Sequence, residues 1–276
     1  MDKQRVGLLG ATSLVGECLL SLLMSEGAKV TAFSRQRREN QPGVEWRLLG
    51  SNPAFVPRAA KSDIPFWICV APIWALPEHF GLLESCGVRR IVAVSSTSLF
   101  VKGDSPDPIE QEIARHLCAG EATLRVWAEA RGVEWVLLRP PLIYGRGRDK
   151  NIAEIVRFIR RFGFFPLFGR ARGLRQPVHA EDVAGACLAA LRTSRAANRA
   201  FNISGNETLA YREMVSRVFA ALDRRPRLLT VPLSVFRIAV ACLRLLPRYR
   251  HWSVAMVERM NRDLVYDHTD AARDLD

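Results

Sequence analysis

Short runs of apolar residues alternate with stretches of helical periodicity through the first half of the chain. The apolar runs lack regular alternation with polar residues, which is typical of strands buried on both faces of a parallel sheet. Strands that alternate with helices predict an α/β fold, a doubly wound parallel sheet covered on both faces. The predicted strands are RVGLLG (5–10), KVTAFSR (29–35), VEWRLL (44–49), PFWICVA (65–71), RIVAVSS (90–96) and VEWVLLRPP (133–141).

The segments between these strands predict helices over 14–27, around 77–86 and over 108–131. After about residue 145 the pattern changes, because polar and basic loops interrupt further helical segments. We therefore expect a core domain over residues 1–145. The C-terminal part, residues 146–276, is predicted to complete this core and to add a smaller substrate-binding or cap region.

The composition is that of a folded globular chain, with 276 residues, 49% hydrophobic and 25% charged. The first residues lack the pattern of a signal peptide, and no apolar stretch reaches the roughly 18 residues of a membrane span. We therefore expect a cytoplasmic protein. Its cysteines show no CxxC spacing and are predicted to be reduced thiols, mostly in the core. They are Cys18, Cys69, Cys86, Cys118, Cys187 and Cys242.

The formal net charge is +12, and arginine carries most of it. Such a charge suits a nucleic acid, an anionic membrane or a phosphorylated ligand. The arginines are spread along the chain without a nucleic-acid-binding motif, so a solvated basic surface is expected and nucleic acid is not. The apolar and basic segment 232–252 is predicted either to cap the core or to form an amphipathic helix on a partner or membrane.

The sequence GLLGATSLVG (7–16) lies between the first predicted strand and the first predicted helix. In a doubly wound sheet, small residues at this turn let the backbone approach a dinucleotide pyrophosphate at the helix N-terminus. Ser13 stands where a glycine is usual, but it is small and its hydroxyl can bond a phosphate. The predicted cofactor contacts in this loop are Gly7, Gly10, Ala11, Thr12, Ser13, Leu14, Val15 and Gly16.

The end of the second predicted strand indicates which dinucleotide binds. An acidic residue there would hold the ribose hydroxyls of NAD, but this chain has FSRQRRE. A guanidinium can grip the 2′-phosphate of NADP, so NADP(H) is favoured over NAD(H), with Arg35 as the main contact. Alternatively, the following arginines only decorate a surface turn. The remaining predicted cofactor contacts are Ser34, Arg37, Ala71 and Pro140.

Four segments, GATSLVG, VAVSSTSLF, LLRPPLIYGRG and QPVHAEDVAGA, occur in an order that resembles the extended short-chain dehydrogenase/reductase superfamily. The similarity is greatest to its NAD-dependent epimerase/dehydratase-like branch and covers about residues 5–220. The resemblance implies a Rossmann-like fold and a nicotinamide cofactor. It also implies reductase, epimerase or dehydratase chemistry on a polar small molecule, phosphorylated or nucleotide-linked.

In that family a serine or threonine, a tyrosine and a lysine four residues later carry the chemistry. The resemblance places Ser96 at the serine position, with Thr97 and Ser98 as alternatives; a strand end that bonds its own backbone would look similar. The tyrosine and lysine positions hold Ile113 and Leu117 instead. Together with Ile109 and Leu124, these residues predict an apolar stripe on the helix.

Two residues are candidates for the missing acid, His116 on the same helix and Tyr144 in LIYG, each with a structural role as the alternative. Lys102 lies upstream in a predicted loop, and Asp182 is predicted at a helix N-terminus. No metal site is predicted, because the histidines and cysteines lack ligand spacing.

The basic segment 157–175 lies where the extended family places substrate contacts. The resemblance implies that Arg170, Arg172 and Arg175 meet a diphosphate, the alternative being a basic surface. Two functions stay open at this point. One is an NADP-dependent enzyme with a degenerate active site. The other is a non-catalytic NADP(H)-binding redox sensor or assembly subunit. A homodimer is compatible with both.

Overall fold

Seven parallel strands form the central sheet of the computed structural model, which describes residues 5–49, 63–236 and 258–275. Their order is β11-β6-β5-β4-β1-β2-β3, and three two-stranded pairs lie outside this sheet. The strands are β1 Arg5–Leu9, β2 Lys29–Ser34, β3 Val44–Leu48, β4 Phe66–Cys69, β5 Arg90–Val94, β6 Glu134–Arg139, β7 Ile143–Tyr144, β8 Phe165–Phe168, β9 Leu174–Arg175, β10 Val178–His179, β11 Arg199–Asn202, β12 Leu209–Ala210 and β13 Leu228–Val231.

Helices cover both faces of this sheet, as the sequence predicts. One side packs α1 against α6, and the other packs α4 against a 3₁₀ helix, Ile73–His79. The helix predicted around 77–86 begins as this 3₁₀ turn, because Pro77 cannot donate an α-helical hydrogen bond. The α-helices are α1 Leu14–Ser25, α2 Phe80–Ser85, α3 Leu99–Lys102, α4 Pro108–Arg131, α5 Ile152–Phe162, α6 Ala180–Arg192, α7 Tyr211–Ala221 and α8 Thr269–Asp274.

The apolar runs of the sequence are the buried strands. Leu8, Ile68, Val92 and Val136, from four adjacent strands, are all fully buried in one cluster. The chain winds outward from β1 to β2 and β3, and then continues on the other side of β1 with β4. This reversal opens a crevice at the carboxyl ends of β1 and β4, where such sheets bind ligands.

The C-terminal part of the chain has two structural roles. First, β11 pairs with β6 and α6 packs on α1, so both complete the central sheet. Second, α5, α7, β8, β9, β12, β13 and residues 258–266 form what we call the C-terminal lobe. Its apolar cluster includes Ile159, Leu167 and Phe219. A boundary at residue 145 stays a prediction.

Two further sequence predictions concern thiols and membranes. The five cysteines in the described residues are all free, and all but Cys118 are buried, as predicted. Burial raises the pKa of the Cys69 thiol to about 12. Cys242 and most of the segment 232–252, from residue 237 onward, lie outside the described residues. Across the part of the chain that is described, no helix has the length and apolar character needed to cross a bilayer.

Candidate functional site

The phosphate loop, residues 10–16, joins β1 to α1 at the crevice and includes the first residues of α1. Gly10 has φ +82°, and a Cβ on it would lie 2.5 Å from the amide nitrogen of Ala71. A Cβ on Gly16 would lie 2.2 Å from the carbonyl oxygen of Gly10. Only glycine fits at these two positions, so the backbone packs tightly against the end of β4.

Ser13 fits this loop through its hydroxyl. Its Oγ accepts a hydrogen bond from the amide of Gly16 at 3.1 Å, which makes Ser13 the N-cap of α1. Within the described residues, the amides of Leu14 and Val15 in the first turn of α1 have no hydrogen-bond partner. They leave donors at the positive end of the helix, which suits a phosphate.

An arginine that the sequence reasoning missed lies over this loop. Arg148 pairs with Glu17 in the first turn of α1, and its Nη2 is 3.5 Å from the carbonyl oxygen of Thr12. Its guanidinium therefore neutralises the one carboxylate in that first turn. The motif GRGRDKN was the available signal, since a basic loop after a core strand faces the same sheet edge as the phosphate loop.

Gly7 was predicted to contact the cofactor, but its position in the structure gives another reason for a glycine at this residue. It lies inside β1, and a Cβ there would come within 2.6 Å of the Trp67 indole. The missing side chain makes room for this buried ring on the neighbouring strand. Packing of the sheet therefore accounts for glycine at residue 7, and its contact with a cofactor stays a prediction.

The end of β2 carries no acidic side chain. The hydroxyl of Ser34 accepts from the amide of Gln36 at 3.1 Å. Arg35 and Arg37 are exposed and have no ion pair or hydrogen bond to any described residue. Arg38 instead stacks on Trp46, with 5.2 Å from the guanidinium carbon to the ring centre. The alternative interpretation, in which these arginines only lie on a surface turn, thus applies to Arg38.

A cavity of about 540 Å³ lies between the loop after β5 and the C-terminal lobe, and we call it the C-terminal cavity. One wall is apolar and includes Phe158, Met214 and Leu264. The polar lining residues include two hydroxyls, two phenols and four cationic groups. They are Thr97, Ser98, Lys102, Lys150, Arg175, Tyr211, Arg259 and Tyr266.

Thr97, and not Ser96, presents its hydroxyl to this cavity. Ser96 Oγ accepts from the amide of Ser98 at 3.1 Å, and Ser96 is absent from the cavity wall. Ser96 thus bonds the neighbouring backbone at the end of the strand, which was the alternative to a catalytic role. The buried Thr97 is held by its amide, which donates to the carbonyl oxygen of Pro140 at 3.2 Å. Pro140 thereby supports Thr97.

Tyr266 reaches Thr97 from the far end of the chain. Its amide donates to Gln176 Oε1 at 2.8 Å, and its ring lies 5.9 Å from that of Phe100. Burial raises the pKa of the Tyr266 phenol, whereas a hydrogen bond with Thr97 and the charges of Arg175 and Arg262 act in the lowering direction. The sequence offers no local signal for this contact, because it joins positions far apart in the chain.

The two positions on α4 that the resemblance assigns to the catalytic tyrosine and lysine pack against the core. Leu117 is 4% exposed, and Ile113 packs against the same apolar cluster. The predicted stripe is wrong at Ile109, which is 64% exposed. The buried face starts one residue later, at Glu110, because Ser105 Oγ donates to its carboxylate at 2.7 Å and Arg259 pairs with it.

Neither candidate for the missing acid lies in the cavity wall. His116 is half-exposed on α4, where its Nε2 is 2.8 Å from Glu112. It also stacks on Trp74 at 5.6 Å. Tyr144 packs edge-on against His179, with ring centres 5.2 Å apart. Both side chains therefore take the structural role that was the alternative for each.

The three arginines predicted to contact substrate lie in different places in the structure. Arg170 and Arg172 are exposed and lie outside the cavity wall. Arg175 lines the cavity, but it is buried and donates to the carbonyl oxygens of Leu174 at 2.7 Å and Arg262 at 2.8 Å. Burial lowers the pKa of Arg175. Its main structural task is to hold the C-terminal lobe together.

Lys102 is a cavity residue that was placed in a loop from the sequence. It ends α3 and lines the C-terminal cavity. Burial lowers the pKa of its ammonium; Arg259 acts in the same direction, and Glu110 and Asp107 oppose it. Asp182 lies in the first turn of α6, as predicted. No cluster of side chains suited to a metal ion occurs among the described residues.

A paired carboxylate and guanidinium support the loop that carries Thr97. Glu121, buried on α4, binds Arg139 at the end of β6 through two contacts of 2.9 and 2.5 Å. Arg139 in turn lies over the ring of Phe100, 5.4 Å from its centre. The bidentate geometry fixes both side chains, so α4 positions the cavity wall through this pair.

Comparison with protein families gives a match to the NAD dependent epimerase/dehydratase family over residues 80–204. Among curated proteins, the chain is 25% identical over 263 residues to an uncharacterized protein of Sinorhizobium fredii, which covers 83% of this chain and 63% of that protein. It is 24% identical over 162 residues to UDP-glucose 4-epimerase of Vibrio cholerae, covering 55% of this chain and 49% of that protein.

A third relative is named as alpha subcomplex subunit 9 of mitochondrial NADH dehydrogenase in Arabidopsis thaliana. The identity is 24% over 159 residues, 57% of this chain and 37% of that protein. The chain thus spans between 37% and 63% of the length of these three relatives.

Solved structures show the same fold at low sequence identity. UDP-glucose 4-epimerase of Thermotoga maritima, with UDP-glucose, superposes with a TM-score of 0.69 at 15% identity, covering 99% of this chain and 92% of that one. UDP-glucuronic acid 4-epimerase of Bacillus cereus, in complex with NAD, gives a TM-score of 0.68 at 14% identity, with coverages of 83% and 86%.

Proposed function

We propose that this chain, which belongs to the extended short-chain dehydrogenase/reductase superfamily, is an NADP(H)-binding, epimerase/dehydratase-like oxidoreductase. It lacks the usual tyrosine–lysine pair, since Ile113 and Leu117 occupy those positions. The proposal rests above all on the phosphate loop, whose two obligate glycines lie at the switch point of the sheet. The protein's own backbone requires both glycines, and the turn they form leaves the amides of Leu14 and Val15 at the edge of the sheet where such folds bind a dinucleotide.

The residues present fit a nicotinamide dinucleotide. The amides of Leu14 and Val15 would hold the pyrophosphate, and Arg148 keeps the charge of Glu17 neutralised beside it. Arg35 and Arg37 would bind a 2′-phosphate, because guanidinium groups complement a phosphate dianion and no carboxylate ends β2. When bound, the dinucleotide supplies hydride transfer. The preference for NADP(H) belongs to this proposal, since the Bacillus cereus neighbour is in complex with NAD.

We further propose that the substrate is a polar small molecule with a nucleotide or phosphate group. Lys102 and Lys150 supply positive charge to the C-terminal cavity, whose lining also includes apolar side chains. The combination suits a ligand with an anionic end and a flat or apolar part. UDP-glucose is the first probe to use, because it is the ligand named with the Thermotoga maritima epimerase.

The first experiment is a fluorescence titration of the purified protein with NADPH and with NADH, followed by UDP-glucose on the loaded protein. We expect exchangeable NADPH with a dissociation constant in the micromolar range and much weaker NADH. Failure of both dinucleotides to bind would contradict the proposed function. Equal affinity for the two would leave the fold-level role intact and contradict the NADP(H) preference.

A second candidate is a non-catalytic NADP(H)-binding sensor or assembly subunit. It is favoured by Ile113 and Leu117, and by the similarity to a protein named as a subunit of plant NADH dehydrogenase. Native mass spectrometry of the protein as purified separates the two functions. A dinucleotide retained through purification, with no response to UDP-glucose, supports the sensor or subunit.

A further inference from the structure

We propose that Tyr266 takes the place of the missing family tyrosine and donates the proton to the reacting oxygen of a substrate bound in the C-terminal cavity. Thr97 acts as the residue that positions this phenol. This inference rests on the proposed function, because it names the proton donor for the same site. It assigns a catalytic role to a residue beyond the span of about 5–220 over which the sequence resembles the family.

Thr97 marks the place where the two parts of the site meet. It follows β5, and its amide bonds Pro140 after β6, so it stands at the carboxyl edge of the central sheet. Its side chain also forms part of the cavity wall. A group that reaches Thr97 from the cavity therefore reaches the end of the sheet at which a dinucleotide would bind.

Tyr266 is held at this position by contacts on both sides of it. The amide of Leu264 donates to the carbonyl oxygen of Leu174 at 2.9 Å, which docks the segment beside β9. The amide of Tyr266 itself bonds Gln176, and its ring lies against Phe100. A phenol with its backbone and ring both fixed loses little freedom when it meets a substrate.

The other tyrosines among the described residues do not offer the same geometry. Tyr211 lines the cavity, but its ring packs under the Arg175 guanidinium at 5.5 Å. Tyr144 packs against His179 and is outside the cavity wall. Only Tyr266, within the described part of the chain, combines a place in the cavity with contact to a hydroxyl at the end of β5.

Burial keeps this phenol protonated, although the nearby charges act in the opposite direction. The charged groups that face it are Arg175 and Arg262, and both favour the phenolate. Burial outweighs them, so the pKa of Tyr266 lies above its ordinary value of about 10. At neutral pH the group is therefore a proton donor, which suits the reduction of a carbonyl better than the removal of a proton.

The proposed step is balanced in atoms and electrons. A bound reduced dinucleotide would supply the hydride, with its two electrons, to the carbonyl carbon of the substrate and would itself be oxidised. The O–H bond of Tyr266 breaks, and its proton forms the new O–H bond of the product alcohol. The phenolate then regains a proton from water, while Arg175 and Arg262 lessen the cost of its brief negative charge.

The first test needs no substrate. The ultraviolet absorbance of tyrosinate is followed against pH in the wild type and in Tyr266→Phe, and the difference between the two curves gives the pKa of Tyr266. The same pair is then measured with Thr97→Val. We expect the pKa of Tyr266 to rise further in the valine background, because the hydrogen bond that lowers it is removed. An unchanged pKa would overturn the proposed couple.

The second test follows reduction of phenanthrenequinone by NADPH, a carbonyl probe that needs no sugar recognition. Tyr266→Phe should lower kcat by about 100- to 10,000-fold, the range for a lost general acid, with little change in KM or in NADPH affinity. Tyr144→Phe is the matched control, since it removes a phenol outside the cavity wall, and it should keep the wild-type rate.

The outcomes distinguish a failure of this inference from a failure of the proposed function. Wild-type kcat in Tyr266→Phe would overturn Tyr266 as the donor. So would a wild type that binds NADPH and reduces neither phenanthrenequinone nor a keto-sugar nucleotide. A wild type that fails to bind NADPH contradicts the proposed function instead, and the tyrosinate titration still accepts or rejects the contact between Thr97 and Tyr266.

Discussion

The phosphate loop and the C-terminal cavity lie at the same edge of the molecule but are built in different ways. The loop is made of backbone: Gly10, Gly16 and the amides of α1 define it within one short segment of chain. The cavity is made of side chains that come from the loop after β5 and from α3, α5, β8, β9, α7 and the segment after residue 258. One region depends on local sequence and the other on tertiary packing.

This difference sets how far the sequence of each region can change. A glycine with φ +82° against the neighbouring backbone has no substitute, so the loop tolerates change only at a capping position such as Ser13. A side-chain function can be supplied from another part of the chain. Leu117 on α4 is buried in the core, and the phenol of Tyr266 lines the C-terminal cavity from another part of the chain.

Restoring the family lysine on α4 tests whether that helix has become purely structural, and it carries the largest expected effect. Leu117→Lys should lower the free energy of unfolding by at least the roughly 2–5 kcal/mol that a lost buried leucine costs, since an ammonium must also be desolvated. Ala119→Lys, on the exposed face of the same helix, is the control and should change little. Denaturant unfolding measures both; equal stability of the two variants would contradict the packing of Leu117.

The next largest effect is expected at the buried ion pair of Glu121 and Arg139. Glu121→Ala leaves Arg139 without its bidentate partner and should cost about 3–5 kcal/mol of unfolding free energy. Glu45→Ala at an exposed pair should cost under about 1 kcal/mol. Unfolding in denaturant compares them. If the double replacement Glu121→Ala with Arg139→Leu does not recover part of the loss, the uncompensated charge is not its cause.

A single added methyl group tests whether the shape of the phosphate loop requires glycine. Gly16→Ala brings a Cβ within 2.2 Å of the Gly10 carbonyl oxygen, so the loop must shift. We expect a loss of about 1–3 kcal/mol in stability, as for an overpacked site, and of most NADPH affinity. Gly81→Ala in α2, which meets nothing within 4 Å, should leave binding intact. Normal NADPH binding by Gly16→Ala would show that the cradle is less tight than described.

The smallest effect concerns the choice between dinucleotides. Arg35→Glu should weaken NADPH binding about tenfold, near 1.4 kcal/mol, and leave NADH almost unchanged, because only NADPH carries the 2′-phosphate. Arg172→Glu makes the same charge change at an exposed position away from the site. Competition titrations report both affinities. Equal losses in the two variants would mean that net charge, and not contact at Arg35, drives the preference.

Much of the architecture was predictable because it follows from local patterns. The apolar runs became β1 to β6, and the helix over 108–131 begins and ends where its cap residues, Asp107 and Gly132, indicate. The same local logic failed at Ile109, where a buried carboxylate, Glu110, occupies the inward face beside Arg259. Periodicity alone cannot anticipate a charge that is buried because a distant partner compensates it.

The sequence by itself determined the sheet, its switch point and the phosphate loop, since strand burial and a tight glycine turn are properties of neighbouring residues. Only the tertiary structure decided that Thr97 and Ser98, rather than Ser96, line the cavity, and that Tyr266 meets Thr97. It also decided that Arg175 binds the carbonyl oxygen of Arg262 in its own lobe. These contacts join residues far apart in the chain, and their direction is set by how the C-terminal lobe packs on the sheet.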